Sequence, residues 1–370
     1  MLNSRRSIRH LQRYSEIVAI FARHGFGFLF NHPEPGPRFR LRFRRAPQQE
    51  VPRDADNLAV HFRQALEEAG PTFVKFGQIL STRPDLLPPS FITELSKLVD
   101  SVSPEPWDKV RALLVHELGQ DLETVFASID PQPIASASLS QVHAAVLPDG
   151  QEVVIKVQRP NITTIIDTDL EILSALAARA QASSLGGVSD FIGIADDFSF
   201  TLRNELDYQR EGRNADRLRE SFADAADLLY IPKVYWELST RQVLVMERIR
   251  GIKIGDVAGL DAAGYDRHKV ALASASVTVK QVFEDGFFHA DPHSGNYLIM
   301  PGEVIGLVDF GKVGYLRDRD RLDLLRLFLA AIQMDVDGLI DQLARMGAVL
   351  EDVDRNRLAY DLHRLLNKYN

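Results

Sequence analysis

GFFHADPHSGNYLIMPGEVIGLVDFG, residues 286–311, sets a polar loop between apolar neighbours. The loop carries His289, Asp291 and Asn296, the apolar runs Tyr297–Met300 and Val304–Val308 follow, and Asp309-Phe310-Gly311 closes the stretch. Two short apolar runs in succession predict a small hairpin with an acid at its end.

Asp291 and Asn296 stand five apart in H-x-D-x-x-x-x-N, and Asp309 follows thirteen residues later in D-F-G. In this order the two spacings are those of a phosphoryl-transfer site. Charge builds on phosphate oxygens during such a transfer, which calls for hard oxygen ligands to Mg2+; Asp309 and the amide oxygen of Asn296 are of that type. Asp291 is then the group that orients or deprotonates an attacking hydroxyl or water. A plainer alternative has Asp291 capping a turn, Asn296 bonding its own loop and Asp309 closing the hairpin. Zinc at His289 and His293 is a third, opposed by the absence of cysteine and of a third histidine at ligand spacing.

The chain has 370 residues, 45% hydrophobic and 25% charged, an ordinary globular composition long enough for two or three units. With no cysteine, disulfides, thiolate metal sites and thiol nucleophiles are excluded, which suits a reducing compartment. No apolar run reaches the 18 or so residues that span a bilayer. The net charge of −8 is unevenly spread: residues 1–46 carry ten arginines against Glu16 and Glu34, a net of +8, and the remainder is at −16. Arginines 5, 6, 9, 13 and 23 interleave with Leu11, Ile17, Val18, Ile20 and Phe21, a pattern for an amphipathic helix on an anionic membrane surface or packed on its own protein. A transit peptide fits less well, and the acidic remainder argues against nucleic acid.

Outward from the hairpin, Pro33–Pro52 reads as a linker, and Asp54–Leu80 as helix broken at Gly70-Pro71, with Lys75, Gly77 and Gln78 interrupting its apolar face. On their own, Lys75 is a solvated residue and Gly77 a close packing point. Further helices are expected at Pro89–Val99 and Trp107–Leu118. Pro133–Val157 holds two β-rich runs joined by Asp149-Gly150, a strong hairpin signal. The small residues Ala135, Ser136, Ala137 and Ser138 predict a loop whose amides approach a phosphate. Lys156, in the strand VVIKV, is a surface lysine on an edge strand or a nucleotide-phosphate ligand paired with a helical glutamate: Glu171, Glu205 or Glu211. Helices are expected at Thr163–Ala182 and Phe191–Phe222, strands at Leu229–Glu237 and Gln242–Ile249. Glu247 and Arg250-Gly251-Ile252 then form a hinge toward adenine. A helix from about Tyr265 to Glu284 leads into the catalytic loop. After D-F-G only Lys312–Arg317 precede the next helical pattern, with no A-P-E and no platform for a protein substrate.

Taken together these residues resemble the UbiB/AarF-type atypical kinases linked to ubiquinone and other isoprenoid-lipid metabolism. FVKFGQILSTRPDLLP is similar to the family's K-x-G-Q segment, ASASLSQVH to its alanine-rich replacement for a glycine-rich loop, and VVIKVQRP to its nucleotide-binding lysine. NELDYQRE resembles its E-x-D element, Glu205 and Asp207, with Glu211 matching the glutamate that pairs with Lys156. HADPHSGN and VDFG resemble its catalytic loop and metal-binding acid. The resemblance implies an α+β, bilobal protein kinase-like fold with a mainly helical N-terminal extension packed over the active site. Residues 1–52 would be a basic arm and linker, 53–130 the extension with K-x-G-Q, 131–250 the N-lobe and 251–370 the C-lobe. It also implies ATP and Mg2+ as cofactors, Lys75 and Gln78 directed at the nucleotide, and a bacterial, cytoplasmic protein peripheral to the membrane. A membrane lipid or quinone precursor and enzymes of lipid biosynthesis would be its partners. Many members continue into C-terminal hydrophobic helices absent up to Asn370, so a shorter member or one part of a longer protein is expected. The rivals are a small-molecule kinase acting on a hydroxyl or amine, and a nucleotide-gated lipid-binding or scaffold protein without turnover.

Overall fold

The computed structural model describes residues 2–27, 55–98, 103–182, 190–349 and 353–369. The expected linker at 33–52 lies outside the described residues. The chain opens with helices α1 (Leu2–Arg23), α2 (Ala55–Ala69), α3 (Pro71–Ser81), α4 (Pro89–Leu95), α5 (Trp107–Leu118) and the single turn α6 (Leu122–Val125). Strands β1 (Ser128–Ile129), β2 (Ala135–Ser136), β3 (Ser140–Val146) and β4 (Glu152–Gln158) follow, then α7 (Ile162–Ala182), α8 (Phe191–Glu205) and α9 (Tyr208–Ser221). Next come β5 (Leu229–Tyr230), β6 (Val243–Glu247), β7 (Ile252–Lys253), α10 (Val257–Ala262) and α11 (Arg267–Val279). The remainder is β8 (Phe287–His289), β9 (Tyr297–Ile299), β10 (Ile305–Leu307), β11 (Val313–Tyr315), α12 (Asp318–Ile332), α13 (Val336–Arg345) and α14 (Arg355–Tyr369).

Two compact units result: residues 1–209 with 235–246, and residues 210–234 with 247–370. In the first, a five-stranded sheet runs β1-β3-β4-β6 with β2 on β3. Asp149-Gly150 turns β3 into β4 as predicted, Gly150 taking the φ of +89° that the turn requires. Val153, Ile155, Val157, Val243 and Val245 of this sheet share a core with Val110 and Leu114 of α5, Leu122 of α6 and Phe126 just after it. The helices form a second core, in which Ile17, Ile20 and Phe21 of α1 meet Leu66, Phe73, Leu95 and Ile172. The apolar face of the basic helix is thus spent on its own protein from Ile17 onward, while Leu11 stays exposed. Asp169, fully buried on α7, fastens this assembly: it accepts from Arg13 Nε of α1 at 2.7 Å and from Thr72 Oγ1 of α3 at 2.7 Å.

The helix expected over Phe191–Phe222 is two helices, α8 and α9, broken at Leu206-Asp207. The break is tertiary in origin. Gln158, buried at the end of β4, donates Nε2 to Leu206 O at 2.6 Å, and Tyr208 N turns to Arg241 O at 3.2 Å instead of continuing the helical ladder.

The second unit holds a four-stranded sheet ordered β5-β10-β9-β7, a two-stranded ribbon of β8 and β11, and α10–α14. The predicted hairpin is β9–β10, antiparallel with Ile305 opposite Ile299 and Leu307 opposite Tyr297. The helix leading into the catalytic loop changes character after Val279: Lys280–Asp285 form a π-helical turn ending at Gly286, with φ +62°. Such turns are concentrated at functional sites.

Candidate active site

Hairpin register brings the catalytic loop to the D-F-G acid. Beyond the last strand pair, Val308 N donates to Asn296 O at 3.1 Å, so Asn296 and Asp309, thirteen apart in sequence, end on neighbouring positions. Asn296 is buried and its Nδ2 donates to Asp291 O at 3.1 Å, so Oδ1 is the atom that could ligate a cation. Asp309 Oδ1 accepts from Gly311 N at 2.9 Å. One amide oxygen and one carboxylate make a partial, hard-oxygen donor set. That suits Mg2+ completed by phosphate oxygens and water, and among the described residues no group of three or more His, Cys, Asp or Glu forms a full cage.

His289 joins the two halves of this arrangement. Its Nε2 lies 2.8 Å from the Asp309 carbonyl, and its Nδ1 accepts from Asp291 N at 3.3 Å. The first contact demands a proton on Nε2 and the second a lone pair on Nδ1, so the ring is neutral. Burial pushes its pKa below the ordinary histidine value, against the opposing pull of the Asp309 carbonyl. With both nitrogens engaged, His289 has no lone pair left for zinc, and His293 Nδ1 accepts from Gly295 N at 3.1 Å within its own loop. Gln281, buried in the π turn, accepts from His289 N at 2.9 Å and anchors the strand entering the loop.

Phe310 is fully buried and held at both backbone polar atoms by α9. Asn214 Nδ2 donates to Phe310 O at 2.9 Å, and Phe310 N makes a long contact of 3.5 Å to Glu211 Oε1. Glu211 and Asn214 lie three apart on one helix face, the spacing at which side chains meet. Glu247 accepts from Tyr230 Oη at 2.7 Å and from Lys233 N at 3.3 Å, so its carboxylate holds the end of β5 and the segment after it.

In the first unit, Lys156 sits opposite Val142 on the β3–β4 pair with Nζ 5.5 Å from the centre of the Tyr208 ring. Of the three carboxylates considered for it, Glu205 is engaged elsewhere, bound to Lys75 Nζ at 2.6 Å; Glu171 is exposed; Glu211 is buried in the second unit. The Ala135–Ser138 segment is not an open loop. Ala135 and Ser136 pair with Val142 and Gln141 as β2, and Ala137 N closes a tight turn on Ser140 O at 2.8 Å. Buried Arg159 binds Ala137 O and Ser136 Oγ, both at 2.9 Å. Alanine and serine lack glycine's access to left-handed dihedrals, which suits them to this strand and turn.

The K-x-G-Q residues lie on α3. Lys75 is buried with Glu205, and Gln78 Nε2 donates to Leu98 O at 3.3 Å. At Gly77 a Cβ would stand 2.4 Å from Leu98 Cδ1 and 2.7 Å from Leu66 Cδ1, so this glycine is a close packing point between helices. Asp207 occupies the α8–α9 break, half-buried. Sequence reasoning missed Gln281, Asn214, Arg159, Asp169 and Lys312, whose Nζ lies 3.3 Å from Asp291 Oδ2.

A strand lysine, a catalytic loop with Asp and Asn, and a buried D-F-G phenylalanine define a kinase-like domain. The chain belongs to the ABC1 atypical kinase-like family, which it matches over residues 97–343. It is 40% identical over 330 residues to a probable protein kinase UbiB of Marinobacter nauticus, covering 88% of this chain and 60% of that one. It is 37% identical over 310 residues to a chloroplastic Arabidopsis thaliana protein named Activity of bc1 complex kinase 7, covering 83% of this chain and 44% of that one. The chain therefore spans between two-fifths and two-thirds of the length of these relatives. Among solved structures, the Rv3197–erythromycin complex from Mycobacterium tuberculosis superposes with a TM-score of 0.57 at 25% identity, over 75% of this chain and 70% of that one.

Proposed function

We propose that this protein is a Mg2+-dependent, ATP-binding atypical kinase or ATPase that acts at a membrane in ubiquinone or other isoprenoid-lipid metabolism. The observation that carries the reading is the hairpin register that sets Asn296 beside Asp309 with Asp291 bonded to the same asparagine. Asn296 Oδ1 and Asp309 would hold the metal, which neutralises charge on the phosphates. Lys156 positions the phosphates, and Asp291 takes the proton of the attacking hydroxyl or water. Lys75, Gln78, Glu205 and Asp207 form a family-specific element bearing on the nucleotide. The quinone-lipid context rests on the resemblance to UbiB/AarF-type kinases; the bacterial relative's own name speaks only of a probable protein kinase UbiB. The brevity of Lys312–Arg317 argues against a docked protein substrate.

The test is phosphate release from Mg-ATP by the purified chain, with and without anionic liposomes holding a quinone-like phenol. Lipid-stimulated release is expected, with a fall of roughly 100-fold or more for Asp309→Asn. ATP bound without release under any condition would instead establish a nucleotide-gated binding protein.

A further inference from the structure

We infer that Lys312 is a catalytic residue, the cation that acts on the transferring phosphoryl group beside Asp291; this rests on the phosphoryl-transfer reading above. The loop from His289 to Asn296 contains no lysine or arginine, although its base must work against a highly anionic phosphate. Its one outward histidine, His293, spends Nδ1 on Gly295 N. The positive side chain at Asp291 arrives from the other strand of the ribbon: Lys312 Nζ stands 3.3 Å from Asp291 Oδ2. The pairing of Val313 with His289, and the 3.1 Å bond from Ala290 N to Lys312 O, fix lysine and base by the same register.

The two side chains are 41% and 39% exposed. An ion pair so open to water contributes little to stability, so Lys312 can leave Asp291 at small cost. A base must lie about 3 Å from the acceptor oxygen, itself about 3–3.5 Å from phosphorus, which puts the flexible ammonium within reach of the phosphoryl oxygens. As the acceptor oxygen–phosphorus bond forms, the bond from the γ-phosphorus to the β–γ bridging oxygen breaks and its electron pair leaves with ADP. The acceptor proton passes to Asp291. The Lys312 ammonium, set beside Asp291 by the ribbon register, meets the charge on the phosphoryl oxygens.

The experiment compares wild type, Lys312→Met and Lys312→Arg for phosphate release, Mg-ATP affinity by a fluorescent nucleotide, and thermal melting. Lys312→Met is expected to lower kcat by roughly 10- to 1,000-fold with affinity within about twofold, and Lys312→Arg to recover most of the loss. Melting temperatures should coincide. A wild type that turns over while Lys312→Met keeps kcat within about threefold overturns the role of the lysine alone. Equal losses in both variants with lowered melting temperatures also overturn it, as a structural effect. A wild type that binds ATP and releases no phosphate overturns the phosphoryl-transfer reading and this inference with it.

Discussion

His289 shows how much one imidazole can carry. It is a donor to the Asp309 carbonyl and an acceptor from the Asp291 amide, so a second proton on Nδ1 would face an N–H and break the link between Asp291 and Asp309. His143 is also buried, and burial pushes both pKa values down. Below about pH 6.5, the ordinary histidine value, the unfolded chain binds protons that these folded sites refuse, so stability falls as pH drops toward the folded pKa values. Urea midpoints at pH 7.5 and 5.5 should show this decline, and His289→Gln should flatten it, leaving the share due to His143. Asp291, Asn296 and Asp309 were legible in the sequence because one hairpin of fixed length sets their spacing. Asn214 and Lys312 were not: each meets its target across 96 and 21 residues of chain, and nothing local marks them.

At the scale of elements, local chemistry marked boundaries well where a turn residue forced them. Gly70-Pro71, Asp149-Gly150 and the 107–118 helix all fall where propensity puts them. Local reading failed where a distant partner decided. The run from Phe191 to Phe222 has helical periodicity throughout, and Gln158, some fifty residues before the break, divides it together with the Arg241 carbonyl. The small residues at 135–138 read as a loop, and Arg159, more than twenty residues later, ties them into strand and turn. α3 supplies a direct test of packing against chemistry. Gly77→Ala drives a methyl into buried Leu66 and Leu98 and should cost about 1–3 kcal/mol of stability, read as a lowered denaturant midpoint. A variant as stable as wild type would return Gly77 to the nucleotide chemistry suggested by the K-x-G-Q resemblance.

At the scale of the whole molecule, the family domain begins at residue 97, but the first unit does not. Ile172 is buried in a core completed by α1–α4, and Phe76 and Ile79 pack on the Ile166, Leu170 and Leu202 cluster of α7 and α8. Residues 97–343 expressed alone should therefore aggregate or melt well below the full chain, with Asp169 stripped of Arg13 and Thr72. Equal solubility and melting temperature for the two would show that the N-terminal helices are an accessory.

The segment after D-F-G is short and tied at both ends, by Lys312 O to Ala290 N and by Leu316 N to Gly286 O. Within Lys312–Arg317 the sole hydroxyl is that of Tyr315, whose ring lies 4.3 Å from the Arg217 guanidinium and 4.8 Å from the Phe287 ring. Ordering by a phosphate added in this segment, the usual on-switch of signalling kinases, thus has no slack chain on which to act. A phosphoryl-transfer site behind so short a tether would have to be switched by something other than the ordering of this segment.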